Sequence, residues 1–218
     1  MARTPPFAAI IYDCDGTLVD SELLNARCMV DLIAAEHGIH LDAAALETEF
    51  RGGKFADMCD TLSARHAIDL GADFAPRYRT YASEVFEREL QPIPGVQAAI
   101  EAIGGPRCVA SSGPPGKLAT ALRVTGLAPY FGAYVFSAYE IEAWKPEPDL
   151  FFHAAQALGV EAADCVVIED SDAGVEAARR AGMRVFGYDH RRTIGEHPQA
   201  DLTRFTDFAE LPGLVARG

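Results

Sequence analysis

Short runs in which nearly every residue is apolar recur along the chain: "FAAIIY" (7–12), "RCVAS" (107–111), "AYVFS" (133–137), "CVVIE" (165–169) and "RVFGY" (184–188). A strand with one wet face alternates apolar and polar residues. Unbroken runs suit strands covered on both faces, which is the signature of a parallel sheet. Between the runs lie stretches with helical spacing, "GVQAAIEAIG" after Pro94, "KLATALRVTG", "DLFFHAAQALG" and "AGVEAARRAG", several closed by a glycine suited to end a helix. Strand and helix in alternation predict an open α/β sheet.

One interval breaks the alternation. From Ser21 to Leu90 no strand pattern appears, but three or four helical stretches do, including "ELLNARCMVDLIAAEHG", "KFADMCDTLSARHA" and "APRYRTYASEVFEREL". This reads as a helical insertion, with the outgoing hinge near Val19 to Glu22. "QPIPG" (91–95), with two prolines and a glycine, is the return hinge. A chain of 218 residues, 49% of them apolar, can build one sizeable core and a smaller second domain.

Charge and cysteine content narrow the class further. A net charge of −13 argues against nucleic acid or an anionic membrane surface as partner, because both need clustered Lys and Arg. If the substrate is an anion, local cations must overcome that background. Five cysteines without regular spacing suggest free thiols in a reducing compartment. "MARTPPF" lacks the apolar centre of a signal peptide, and no apolar run reaches the roughly 20 residues a membrane span needs. The expectation is a cytoplasmic protein, a monomer or weak homo-oligomer.

In open α/β sheets ligands bind beyond the carboxyl ends of the strands, so the informative residues are those just after each apolar run. The first run delivers Asp13 and Asp15, the second Ser111, Ser112 and Gly113, the fourth Glu169 and Asp170. The loop "WKPEPD" supplies Lys145. Alternation along an extended segment lets Asp13 and Asp15 lean to one side while Cys14 points to the other. Two carboxylates on one side need a cation, and Asp170 with Glu169 beside it would complete a hard oxygen site suited to Mg²⁺. The alternatives are a Ca²⁺ loop or a satisfied turn; the Ca²⁺ loop fits poorly, since its pattern puts a third ligand fifth and Gly sixth, whereas "DCDGTLVD" has Gly fourth.

A metal and a lysine converging on two aspartates suit phosphoryl transfer, which depends mostly on positioning and charge neutralisation. Asp13 would attack phosphorus to give an aspartyl phosphate. Asp15 would protonate the leaving oxygen and later deprotonate the attacking water. Ser111 and the Ser112 and Gly113 amides would hold phosphoryl oxygens, while Lys145 neutralises charge and orders Asp13.

The motifs "DCDGTLVDS", "VASSG", "WKPEPD" and "VVIEDSDAG" stand in the order found in the haloacid dehalogenase-like (HAD) hydrolases, and the chain resembles that superfamily over its whole length. The resemblance implies a Rossmann-like core at residues 1–20 and 92–218, a helical cap at 21–91, and Mg²⁺ held by Asp13, the Asp15 carbonyl and Asp170. True haloacid dehalogenases lack the second aspartate, so Asp15 points to small phosphate esters as substrates. The stretches "FRGGKFADM", "GGPRCVASSGPPGK" and "YEIEAWKPEPDLFFHAA" are most similar to the branch holding bacterial 6-phosphogluconate phosphatases. β-Phosphoglucomutases, the alternative branch, carry a His where Asn25 stands and a cap Arg where Phe55 stands, and both departures favour hydrolysis. A binding protein that kept the fold is a third reading, against which the complete motif set counts.

Other residues invite function more weakly. Arg51 and Lys54, in the turn "FRGGKF", either bind the polar end of a substrate or form a solvated basic turn. "GPPGK" (113–117) is not a P-loop, because Leu118 follows the lysine where Ser or Thr is required, and Lys117 reads as an exposed first-turn residue. The six histidines show no metal spacing and read as surface or interface residues, and "YDHRR" (188–192) as a basic loop. Trp144 reads as a packing anchor and Cys14 as a small buried hydrophobe.

Overall fold

The computed structural model describes residues 7–51 and 53–217. Residues 1–6 of the expected core and Gly52 of the "FRGGKF" turn lie outside the described residues, as does Gly218. Two compact units divide the chain. One runs up to Val19 and resumes at Gln91; the other is Asp20–Leu90.

The first unit begins with β1 (Ala9–Tyr12). After the second unit it continues through α5 (Val96–Ile103), β2 (Arg107–Ser111), α6 (Pro115–Val124), β3 (Val135–Ser137), α7 (Ala138–Ile141) and α8 (Asp149–Ala157). It closes with β4 (Cys165–Glu169), α9 (Asp172–Arg180), β5 (Arg184–Tyr188), β6 (Leu202–Phe205) and α10 (Leu211–Arg217). Among the described residues the strands form a six-stranded sheet in the order β3-β2-β1-β4-β5-β6, every neighbouring pair parallel. This is the doubly wound α/β architecture that the apolar runs predict. β6 is an addition to them: it lies at the sheet edge, where Thr203 and Arg204 keep partial access to water, so "LTRF" does not read as a buried strand.

The strand order puts the most apolar segment at the centre. All four residues of β1 are buried, and Tyr12 is level with Val109 on one side and Ile168 on the other. Because side chains alternate, Ile11 shares one face with Ala110, Val167 and Val185. These pack against Leu150, Phe151 and Ala154 of α8 and Val175 and Ala178 of α9. Tyr12 points to the opposite face and meets the Phe131 ring edge-on at 5.7 Å. With both faces covered, the carboxyl ends of β1, β2 and β4 are held in register along one edge of the sheet.

The second unit consists of four helices, α1 (Glu22–His37), α2 (Ala43–Phe50), α3 (Phe55–His66) and α4 (Phe74–Glu89). Its core gathers Met29, Ile33, Leu46, Leu62, Phe74 and Val85. Asp42 caps α2 by accepting from the Ala44 and Ala45 amides at 2.8 and 3.0 Å, a contact that fixes where the helix begins. Asn25 accepts a hydrogen bond from the Tyr78 hydroxyl at 3.2 Å, and the Phe55 ring lies 4.7 Å from that of Tyr78. Among the described residues no helix is long and apolar enough to cross a membrane.

Candidate active site

β1 ends at Tyr12, and the next residue carries the first carboxylate. The Asp13 amide donates to the Ile168 carbonyl at 2.9 Å, so the ladder between β1 and β4 extends one residue beyond the strand and aims Asp13 at the end of β4. There it meets Lys145, whose Nζ lies 2.5 Å from Asp13 Oδ1 and 2.7 Å from Glu169 Oε1. Asp13 and Lys145 are 7% exposed and Glu169 1%, so one ammonium serves two buried carboxylates. Phe151 closes the site from below, its ring centroid 5.0 Å from Nζ.

Burial pushes the Asp13 carboxyl up to about 8, and Glu169 adds to the rise while Lys145 opposes it. For Lys145, burial alone would lower the pKa, but Asp13 and Glu169 more than reverse this and hold the ammonium charged. The Cys14 thiol is pushed well above its usual value by burial and by the neighbouring aspartates, which makes it the inert apolar filler expected from the sequence.

Glu169, expected from the sequence beside the metal, also has a structural part. Its second oxygen accepts from the Ser171 amide at 2.7 Å and the Ser171 hydroxyl at 2.9 Å, while Ser171 caps α9 through the Gly174 amide at 3.1 Å. Both Glu169 oxygens are thus engaged inside the protein. The residue anchors Lys145 and the turn into α9. Gly174 makes this possible, since a Cβ there would overlap the Glu169 carboxylate.

The loop after Asp13 turns sharply. Leu18 and Val19 amides return to the Cys14 carbonyl, and the Gly16 amide donates to Val19. Gly16 has φ +76°, and a Cβ on it would fall inside the van der Waals shell of Asp170 Oδ2. The backbone carrying the Asp15 carbonyl is thereby brought against Asp170, whose Oδ1 accepts from the Thr17 hydroxyl at 3.0 Å. Gly16→Ala is expected to destabilise the protein by about 2 kcal/mol or more, from the left-handed backbone and the clash together. Urea unfolding would measure it.

Two carboxylates, Asp13 and Asp170, and the Asp15 carbonyl form a hard oxygen set from adjacent strand ends, which fits Mg²⁺ completed by waters and a substrate oxygen. Among the described residues no three His, Cys, Asp or Glu side chains gather as a metal cluster.

The end of β2 supplies the third side. Ser111 is buried, and its hydroxyl accepts from the Gly113 amide at 3.1 Å; Ser137, at the end of β3, donates to the Gly113 carbonyl at 2.6 Å. Without substrate, the Gly113 amide donates to Ser111 within the loop. Ser112 stands exposed at the tip. Lys117 also corrects the sequence reading: it is half-buried, and its Nζ lies 2.7 Å from Asp15 Oδ1.

Arg51 and Lys54 belong to the helical unit. Arg51 ends α2 and is ion-paired with Glu47, whose side chain is buried, so its guanidinium is already engaged. Lys54 is exposed at the N-terminus of α3. Trp144 packs on the core cluster and meets Tyr139 edge-on at 5.5 Å, as a packing anchor does. His190 stacks on Tyr188 at 4.5 Å, and His197 lies 2.8 Å from Asp172.

Aspartates following the central strand, a lysine shared by two strand ends and a serine at the end of a third strand define a hydrolase built on a doubly wound sheet. The chain belongs to the haloacid dehalogenase-like hydrolases, whose family it matches over residues 7–182. It is a phosphoric monoester hydrolase. It is 39% identical to the 6-phosphogluconate phosphatase of Escherichia coli (strain K12), over 96% of both chains. It is 30% identical to a fructose-1-phosphate phosphatase of the same strain, over 81% of this chain and 94% of that one. A solved HAD family hydrolase from Deinococcus radiodurans R1, with bound phosphate and sodium, superposes with a TM-score of 0.76. Its identity is 30%, over 98% of this chain and 97% of that one.

Proposed function

We infer that the protein is a Mg²⁺-dependent phosphatase of small phosphorylated sugars or sugar acids, of which 6-phosphogluconate is the leading candidate. The observation that carries the chemistry is the Lys145 ammonium held between Asp13 and Glu169, with Asp15 in the turn after β1 and Asp170 directly after β4. The similarity to a 6-phosphogluconate phosphatase supports the substrate class.

Asp13 attacks phosphorus through a carboxylate oxygen as the ester P–O bond breaks. Asp15 gives its proton to the departing alcohol oxygen, which leaves as a neutral alcohol. Water then attacks the aspartyl phosphate and passes a proton to Asp15, releasing inorganic phosphate and restoring Asp13. Lys145 holds Asp13 in one orientation and offsets the charge that would otherwise repel an anionic substrate. The Ser111 hydroxyl accepts from Gly113 and keeps its own proton for a phosphoryl oxygen. Asp13, Asp170 and the Asp15 carbonyl would hold Mg²⁺, which when bound would neutralise further phosphoryl charge.

Hydrolysis is favoured over phosphate relocation by two residues of the helical unit. Asn25, which stands where the mutase branch has His, accepts from Tyr78, and Phe55, which stands where that branch has Arg, packs on the Tyr78 ring. Neither can protonate a leaving group or grip a second phosphate. Phosphate release from 6-phosphogluconate and from hexose, pentose and three-carbon phosphates, with Mg²⁺ and with chelator, tests the reading. Release that requires Mg²⁺ and ranks 6-phosphogluconate high is expected. Isomerised sugar phosphate without free phosphate would overturn it in favour of the mutase.

A further inference from the structure

The geometry assigns Lys117 a part in the reaction: it positions Asp15 so that the acid's proton sits on the oxygen facing the phosphate loop. This rests on the reading of Asp15 as acid and base. Lys117 lies in the first turn of α6, directly after the loop that carries Ser111 and Gly113. Its Nζ is 2.7 Å from Asp15 Oδ1, in a pair whose side chains are 24% and 16% exposed. The other Asp15 oxygen, Oδ2, is turned toward Gly113, where a Cβ would stand 3.5 Å from it and 3.4 Å from Ser111 Oγ. The carboxylate thus has one oxygen on an ammonium and one on the side of Gly113 and Ser111, whose hydroxyl is to hold a phosphoryl oxygen.

The chain between them is stiff. Pro114 and Pro115 fix two consecutive φ angles, and the Pro114 carbonyl accepts from the Lys117 and Leu118 amides at 3.0 and 3.2 Å. Leu118 is buried beneath, and Ser137 ties down the Gly113 carbonyl. Lys117 is therefore presented from a supported backbone, which limits the orientations open to Asp15.

The consequence is chemical. An ammonium has only donors, so it excludes a proton from the oxygen it faces. When Asp15 is protonated, the hydrogen resides on Oδ2. In the first step the Oδ2–H bond breaks as the alcohol oxygen gains the proton, and Lys117 keeps all of its own. In the second, water returns a proton to Oδ2. Lys117 thus acts through Asp15 and contributes nothing to the bond to phosphorus.

The test compares two esters in Lys117→Met and Lys117→Arg. An alkyl phosphate such as 6-phosphogluconate has a poor leaving group that needs the acid; para-nitrophenyl phosphate has a good one that scarcely does. The ratio kcat/KM isolates the first transfer from the later water step. Lys117→Met is expected to lower kcat/KM for the alkyl ester roughly 30-fold or more, toward the loss of a well-placed acid, with a change of about threefold or less for the aryl ester. Inhibition by inorganic phosphate should be unchanged, and Lys117→Arg should restore most of the alkyl activity.

Equal loss on both esters, or weaker inhibition by phosphate, would overturn the assignment and make Lys117 a phosphate ligand. Proportionate loss with a lowered Tm would overturn it in favour of a structural role. Failure of the phosphatase reading looks different: the unaltered protein would release phosphate from neither ester, and both inferences would fall together.

Discussion

Asp13→Asn should reduce phosphate release by roughly 10⁴-fold or more while leaving the fold at least as stable as before. Asn keeps the shape of Asp and can accept from Lys145 through its amide oxygen, but it cannot form the phosphoryl ester. Once Asp13 ionises, as the attack on phosphorus requires, the buried triad of Asp13, Glu169 and Lys145 carries two negative charges against one positive, which is why burial resists that ionisation; the substitution leaves the triad neutral at every pH at which Glu169 is ionised and Lys145 charged. Burying a neutral pair costs less than burying an uncompensated charge. The measurement is paired: phosphate release with Mg²⁺ for the first half, and Tm in chelator for the second. A fall of more than a few degrees in Tm would contradict the charge argument. Retained turnover would contradict the nucleophile.

The opposite change has the opposite consequence. Lys145→Met removes the ammonium shared by two carboxylates that are nearly free of solvent, and should cost about 3–5 kcal/mol in stability as well as activity. Chelator in the unfolding buffer keeps a metal from standing in for the ammonium. Adding Glu169→Gln to Lys145→Met should recover part of the stability and none of the activity, because it removes one uncompensated charge without restoring the cation at Asp13. Equal stability of the single and double variants would show that the loss comes from packing on Phe151 instead.

The strands of the sheet centre were legible because each is covered on both faces, and a run such as "CVVIE" leaves no polar face to confuse the reading. β6 was not, since an edge strand carrying Thr203 and Arg204 resembles a loop. The gathering of Asp13, Ser111, Glu169 and Asp170 was legible for a related reason: each stands at or just after the end of an apolar run, and parallel strands bring such ends to one edge. Lys145 took its place from a loop. What sequence pattern did not convey was how the charges are shared. That Glu169 holds both Lys145 and Ser171 depends on side-chain directions at the turn into α9. Lys117 reads from the sequence as an exposed first-turn residue because its partner, Asp15, is far away in the chain. The available signal was a basic residue within one turn of the phosphate loop in a protein of net charge −13.

The position of β1 has a consequence for synthesis. It is made first, yet it lies between β2 and β4, which begin at Arg107 and Cys165. While the ribosome produces the helical stretch of residues 20–90, whose contacts are local, the strand "AIIY" has neither neighbour to pair with. Its exposed apolar edge must be shielded, by transient collapse or by a chaperone, until about three-quarters of the chain has emerged. The nascent chain can therefore acquire no activity before β4 arrives, and a truncation ahead of Cys165 should yield a protein prone to aggregate, not a weak enzyme.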